Sequence, residues 1–345
     1  MLYVGLDVHS RWTTLRGFDP ETGEIVERMR ISNEPEVMAA VLRELPGPLH
    51  GVMESGTSAW AMYRALEPCF ARLVIADPAQ LWDRKRDRSA KTDRRDALRM
   101  AQKLYREEIK GIYVPDAHTQ DLRVLVRGKM RATRWVTKLV NEIGSLLRCW
   151  GYVESGSLLS KQGKRHLEAV QLSGHSARVL KLWREMLEKA QEIEGELEAA
   201  IKEEAERDPV CAQLRTMPSV GPFTALAVRA EIGDIRRFPS SAALISYAGL
   251  APRVFQSGEH CRYGPVGHQG NSWLRYALVL LANRMACQGK GSRLHQLYWR
   301  IQLRGHRNGA KMAVARKATH LIHHLLRTGQ PWRELATEKQ VKVTA

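Results

Sequence analysis

Four acidic residues carry the chemistry this sequence can offer: Asp7, Glu54, Asp93 and Asp96. Asp7 closes an apolar run within Met-Leu-Tyr-Val-Gly-Leu-Asp-Val-His (Met1–His9). Glu54 opens Glu-Ser-Gly-Thr directly after the apolar Leu49–Met53. Asp93 and Asp96 lie in Lys-Thr-Asp-Arg-Arg-Asp-Ala-Leu. An ionised carboxylate at the end of a buried strand is costly unless a partner neutralises it. Asp7 therefore reads either as a turn residue just past the strand end or as a ligand for a cation. Asp93 and Asp96 are three apart in a stretch of helical periodicity, so both point from one helix face. Two acids in a first helical turn also suit the positive end of the helix dipole, and that reading stands beside the first. Taken together, four carboxylates on two strand ends and one helix face can hold two divalent cations. Paired metals ~3.5–4 Å apart stabilise both the attacking and the leaving oxygen of a phosphoryl displacement. Mg²⁺, a hard cation, wants such oxygen ligands, with Mn²⁺ as the alternative.

The elements that must position these acids can be read from the same stretch. Leu2–Asp7 is a buried strand, and strand patterns follow at Trp12–Phe18 and Glu24–Ile31, the second after the turn signal Asp-Pro-Glu-Thr-Gly. Glu34–Leu45 and Ala59–Ala71 read as helices, Leu49–Met53 and Leu73–Ala76 as further strands, and Asp93–Tyr105 as a third helix. Three strands, then helix and strand in alternation, predict an α/β domain with a mixed sheet. The charged run Asp83–Lys91 sits just before the last two acids. It reads as a solvated loop or as a phosphate contact through Arg84, Lys85, Arg86, Arg88 and Lys91.

Beyond residue 115 the period changes. Leu122, Leu125, Lys129, Ala132, Val136, Leu139, Ile143, Leu146 and Trp150 follow 3-4 spacing. Leu180, Trp183, Leu187, Ala190, Glu194, Leu197 and Ile201 do the same. Such heptads predict two helices in a coiled coil. The first is basic (Arg123, Arg127, Arg131, Arg134, Lys138) and the second acidic, which favours an antiparallel hairpin linked by Gly151–Ser176. This part reads as a scaffold, or as an arm for oligomer formation. Further on, Pro-Ser-Val-Gly-Pro (Pro218–Pro222) resembles the turn of a helix-hairpin-helix, whose backbone N–H groups can take a phosphate. By its own residues Ser257, in Ser-Gly, reads as a turn residue. The tail is basic and helical, and Arg300, Arg304, Arg307, Lys311, Arg316 and Lys317 suit contact with a nucleic-acid backbone, with Arg253 and Arg262 upstream.

Composition agrees with a polyanionic partner. The 345-residue chain has a formal net charge of +17, and hydrophobic residues make up 44% of it, enough for real cores. The last 95 residues hold 16 Lys and Arg against 3 Glu and no Asp. Five scattered cysteines without a Cys-x-x-Cys pair argue for reduced thiols. The N-terminus shows no basic n-region or cleavage pattern, and no apolar run approaches the ~18 residues of a membrane span. The expectation is a cytoplasmic protein of a bacterial or archaeal cell, with no membrane partner.

The wording Tyr-Val-Gly-Leu-Asp, Glu-Ser-Gly-Thr and Lys-Thr-Asp-x-x-Asp-Ala, in that order, resembles the DEDD transposases of insertion sequences and their relatives, the Piv-type DNA invertases. The C-terminal layout, Gly-Leu-x-Pro-Arg followed by Ser-Gly and a glycine-rich stretch, is similar to that family's transposase domain. The resemblance implies a RuvC-like, RNase H-like domain over 1–110, a coiled-coil scaffold over 111–208 and a mainly α transposase domain over 209–345. It implies that Asp7, Glu54, Asp93 and Asp96 bind Mg²⁺ and that Ser257 is the nucleophile, forming a phosphoserine link to DNA. It also implies donor and target DNA as substrates, a bridge RNA as guide, and a homo-oligomer in which an active site is shared between protomers. Two readings remain beside it: a RuvC-like Mg²⁺-dependent structure-specific endonuclease, and a site-specific DNA invertase.

Overall fold

A computed structural model describes residues 1–81, 93–153, 156–257, 260–267, 269–288 and 292–332. The chain forms two compact units, Met1–Pro115 and Asp116–Ala345.

The first unit is built on a five-stranded sheet. Its strands are β1 (Leu2–Val8), β2 (Trp12–Phe18), β3 (Ile25–Ser32), β4 (Leu49–Glu54) and β5 (Arg72–Ala76), in the spatial order β3-β2-β1-β4-β5. β1–β2 and β2–β3 pair antiparallel, whereas β1–β4 and β4–β5 pair parallel. The mixed α/β sheet expected from the strand and helix order is thus present. Alternation along β1 divides its side chains between two cores. Leu2, Val4 and Leu6 join Met38 and Leu42 of α1 (Pro35–Arg43) and Met62 and Leu66 of α2 (Ala59–Leu66). Under the other face lie Val52, Ala76, Met100 and Leu104, with Leu81 of α3 (Pro78–Leu81). Met100 and Leu104 belong to α4 (Asp93–Tyr105), whose bounds are those the periodicity predicts. The basic loop residues Arg84, Lys85, Arg86, Arg88 and Lys91 lie outside the described residues.

The second unit starts with two long helices, α5 (Ala117–Cys149) and, after the short α6 (Lys161–Ala169), α7 (Gly174–Arg207). From the sequence, Gly151–Ser176 reads as a plain connection. In fact α6 caps the far end of the pair, and Leu158 and Leu167 share a core with Ile143, Leu147 and Leu180. The pairing is antiparallel: Lys129 meets Glu194 at 3.3 Å, and Trp150 Nε1 donates to Ser176 Oγ at 3.1 Å. Lys129 and Glu194, the polar members of the two apolar series, answer each other across the seam.

At its base the hairpin is continuous with the helical core. Leu122, Val126, Met130, Ile201 and Ala205 pack with residues of α8 (Pro209–Arg215), α9 (Pro222–Ile232) and α10 (Ser241–Tyr247). The two-stranded sheet β6 (Pro252–Ser257) and β7 (His260–Val266) follows, then α11 (Ser272–Gln288), α12 (Arg293–Gln302) and α13 (Arg307–Thr328). Among the described residues, the β6–β7 hairpin is the strand pair that the helical reading of this half does not foresee. Gly233, at φ 63°, ends α9 in a backbone conformation that glycine adopts freely.

One expectation for α5 changes. Arg123 and Arg127 do not serve the acidic face of α7. Arg127 instead grips Glu231 of α9 through two bonds of 2.7 and 2.8 Å, and Arg123 donates to the carbonyls of Ala230 and Glu231. Glu231 is fully buried, and such a carboxylate persists only when cations and donors surround it. These arginines lie on the side of α5 turned to α9, so they answer Glu231 rather than the coiled-coil partner. No helix among the described residues is long and apolar enough to cross a membrane.

Candidate metal centre

Asp7 and Glu54 stand at the carboxyl ends of neighbouring parallel strands. Leu6 pairs with Met53 in the ladder, so the acids one residue further on are side by side. Carboxyl ends of parallel strands are where open α/β sheets gather their ligands. The helix α4 supplies the other two acids. Period 2 along β1 puts Tyr3, Gly5 and Asp7 on one face, and α4 lies on that face. Two strand residues span ~6.6 Å and four helical residues ~6 Å, so a helix running back along a strand stays in step over this distance. Ala97 covers Gly5, and Asp93, four residues earlier, reaches the Asp7 end.

The close approach depends on Gly5. A Cβ at this position would come within 1.8 Å of the Ala97 carbonyl oxygen and 3.2 Å of the Ala101 nitrogen, both fixed backbone atoms. The start of α4 is also tethered from outside. Arg94 Nε lies 2.6 Å from Glu27 of β3, and Arg16 of β2 holds the same carboxylate at 3.1 Å. Gly5→Ala is expected to push α4 away and cost ~1–3 kcal/mol or more as an overpacked contact. Its larger effect falls on the site, because Asp93 and Asp96 move with the helix. Thermal melting with and without divalent cation checks this: the variant should lose the cation-induced rise in Tm as well as basal stability.

Among the described residues, one group has ligand atoms all within 4.8 Å of one another, and it contains a histidine: Asp7, His9 and Asp93. His9 Nε2 lies 3.4 Å from Asp7 Oδ2 and 3.2 Å from Asp93 Oδ2. The ring is set by the tight turn after β1. His9 N–H donates to the Trp12 carbonyl at 3.0 Å, and Asn33 Nδ2 donates to the His9 carbonyl at 2.6 Å. Glu54 and Asp96 stand outside this tight group but within electrostatic reach of it. Burial raises the Asp7 carboxyl above its usual range; His9 pulls it back down, and Asp93, Asp96 and Glu54 raise it again. Of the four predicted acids, Asp7 and Asp93 thus meet at ligand distance, while Glu54 and Asp96, the latter buried at 6% exposure, lie beside them. Sequence reasoning passed over His9. Its signal was the spacing Asp-Val-His, since residues two apart along a strand share a face.

Carboxylate oxygens with one imidazole form a donor set that suits a divalent cation of the hard-to-borderline class. Net repulsion among the acids is the strain that such a cation would relieve. The residues present thus fit a metal, and Asp7, Asp93 and His9, with Glu54 and Asp96 near by, are those that would hold it.

The second unit contributes the other predicted residue. The backbone places Ser257 at the end of β6, opposite His260 of β7, so it stands at the tip of a hairpin. Gly258, Glu259 and His268 lie outside the described residues. The turn resembling a helix-hairpin-helix joins α8 to α9, with Ser219 at φ 65° and Gly221 as the N-terminal cap of α9. Arg253, Arg262, Arg300, Arg304, Arg307 and Lys317 are exposed, whereas Lys311 and Arg316 are half-buried.

Comparisons with known proteins agree across both units. The family model of DEDD-type IS110 proteins, described as Transposase, matches residues 4–150. A second model, described as Transposase IS116/IS110/IS902 family, matches residues 211–299. The chain is 30% identical over 259 residues to the transposase for insertion sequence element IS1111A of Coxiella burnetii, covering 71% of this chain and 69% of that protein. It is 24% identical over 289 residues to a probable family 20 transposase of Pseudomonas aeruginosa, covering 76% and 86%. A pilin gene-inverting protein of Moraxella bovis is 31% identical over 121 residues, covering 34% and 37%. The acids at the ends of β1 and β4, the α4 acids and the Ser257 hairpin fall inside the two matched regions, and the chain belongs to the IS110 family of insertion-sequence transposases, enzymes that act on DNA.

Proposed function

We propose that this transposase moves its own insertion sequence by cutting and rejoining DNA through a covalent Ser257 intermediate, assisted by Mg²⁺ held at Asp7, Glu54, Asp93 and Asp96. The observation that carries the reading is the convergence of α4 on the ends of β1 and β4, made possible by Gly5. The sheet order β3-β2-β1-β4-β5, with acids at those two strand ends, fits a RuvC-like, RNase H-like domain. The functional parts are then 1–110 for metal binding, 111–208 as scaffold and 209–345 for strand transfer.

In the reaction Ser257 Oγ attacks the scissile phosphorus, forming an Oγ–P bond as the P–O3′ bond breaks. The hydroxyl proton ends on the departing 3′ oxygen, which leaves as a free 3′-hydroxyl. The phosphoserine keeps the ester bond energy, so a 3′-hydroxyl from the other DNA partner can reseal the strand by the reverse step. Bound divalent cation would supply charge neutralisation at the phosphate and lower the barrier to nucleophilic attack. The protein's own part is to hold the acids in register through Gly5, Glu27 and Asn33.

Because the acids and Ser257 belong to different units, the family resemblance supports a site completed between protomers of a homo-oligomer. It likewise supports guidance by a bridge RNA that pairs with donor and target DNA, to which the +17 chain is electrostatically suited. The place of action is the cytoplasm. The test is incubation of the full chain with DNA spanning an element end and Mg²⁺, with and without RNA transcribed from the sequence flanking the gene, followed by denaturing electrophoresis. A protein–DNA adduct resistant to denaturant supports the proposal. Cleavage to free 5′-phosphate ends without adduct points to the endonuclease reading, which the metal centre's residence within one unit would favour. The similarity to a pilin gene-inverting protein favours inversion as a second outcome, seen as flipping rather than excision of a segment between two sites.

A further inference from the structure

The basic face of α5 does something the coiled-coil reading does not account for. Arg127, Arg131 and Arg134 fall at i, i+4 and i+7, on one stripe of the helix. All three guanidinium carbons lie near a single indole, that of Trp273 at the start of α11: 5.7, 5.4 and 5.0 Å from the ring centroid. Arg127 is neutralised by Glu231. Arg131 and Arg134 are exposed, and no acidic partner within ion-pair distance meets either among the described residues. Exposed Lys138 extends the stripe, which carries no acid.

With Arg127 answered by Glu231, the two remaining cations drawn to the same ring form an arrangement that an anion would complete. A guanidinium laid over an indole keeps its N–H edge free, and that edge matches a phosphate bidentately. The assembly is also held in place. Asn271 caps α11 by accepting from the Trp273 and Leu274 N–H groups at 3.0 and 3.1 Å, and its amide donates to Glu231 at 2.8 Å. The same buried carboxylate thus sets both Arg127 and the turn that presents Trp273. That turn ends the segment carrying the β6–β7 hairpin.

We propose that Arg131, Arg134 and Trp273 form a clamp for the phosphodiester backbone of duplex DNA, at the helix into which the Ser257 hairpin leads. The choice of DNA rests on the reading that this hairpin is delivered to DNA. Arg131 and Arg134 take adjacent phosphates, and the indole fixes the pose of both guanidinium planes.

The experiment compares full-length wild type with Arg131→Gln/Arg134→Gln, Arg131→Lys/Arg134→Lys, and a control on α6, Lys161→Gln/Lys164→Gln. Binding to a labelled random-sequence 30-base-pair duplex and to a labelled RNA hairpin is followed by anisotropy across a salt series. For the glutamine pair the slope of log affinity against log salt on the duplex should fall by about 2, with binding about tenfold weaker or more. The lysine pair should retain the slope, as should the α6 control. A glutamine pair that behaves like the α6 control overturns the clamp, and so does a loss confined to the RNA hairpin. The Ser257 reading is scored separately, by the covalent adduct with wild type. An adduct with an unchanged glutamine pair leaves that reading standing and sinks only the clamp.

Discussion

Asp7→Asn is expected to abolish strand cleavage and, in the absence of metal, to make the protein more stable. The activity loss follows from removing a ligand worth several kcal/mol of transition-state charge stabilisation, or roughly 10³-fold in rate. The stability gain follows from the direction in which the Asp7 carboxyl is perturbed. Burial raises it first; His9 opposes this, and Asp93, Asp96 and Glu54 add to it, for a net rise. A carboxyl raised on folding holds its proton more tightly in the folded than in the unfolded chain. Its favourable contribution is full below the ordinary carboxylate range and is lost as pH rises through the folded value. At neutral pH the ionised Asp7 therefore destabilises the metal-free fold, and the neutral amide removes that load. The His9 contact to Asp93, 3.2 Å in the wild-type chain, does not involve Asp7, so the turn is expected to stay anchored.

Thermal melts from about pH 4 to about pH 8, with chelator or with Mg²⁺, read both halves of this expectation. Without metal the variant should melt above wild type at the alkaline end, with the gap closing toward the acid end. With Mg²⁺ the wild type should rise in Tm by mass action while the variant stays where it was. A variant that melts below wild type in chelator at the alkaline end, or that keeps the full Mg²⁺ response, would show that Asp7 is a structural turn residue.

How much of this could be read beforehand differs from element to element, for physical reasons. β1, β2, α4 and the long helices follow from periodicity because burial on one face forces their pattern. The four acids are legible because each breaks such a pattern at an element's end. His9 was hidden because the turn that aims it is fixed by Asn33, more than twenty residues away, through a side-chain amide. Gly5 gave no sign of its role either, since its importance lies in a carbonyl of Ala97 that no local signal announces. Helix α6 is hidden by the glycine, serine and lysine content of the connection around it, and it is stabilised by packing of Leu167 rather than by propensity. The arginines of α5 show the same limit from the other side. Their charge matched α7, but a buried Glu231 on a third element took two of them.

Ser257→Ala carries the other large expectation: loss of the covalent DNA adduct and of joining by roughly 10⁴-fold or more, as when a nucleophile is removed from a cooperating set. Ser257 is the last residue of β6, opposite His260 of β7. The substitution removes one oxygen and leaves every acid of the first unit in place. Metal binding, read as the Mg²⁺-induced shift in Tm, should therefore match wild type, as should affinity for duplex DNA and its salt dependence. Three variants then separate the roles. Ser257→Ala keeps the metal and loses the adduct; Asp7→Asn loses both; Arg131→Gln/Arg134→Gln keeps the metal and weakens binding. If Ser257→Ala still nicks DNA at the wild-type rate in Mg²⁺, water is the nucleophile. The acids at the ends of β1 and β4 would then be those of a junction-type endonuclease, and the hairpin tip would serve only to hold the strand.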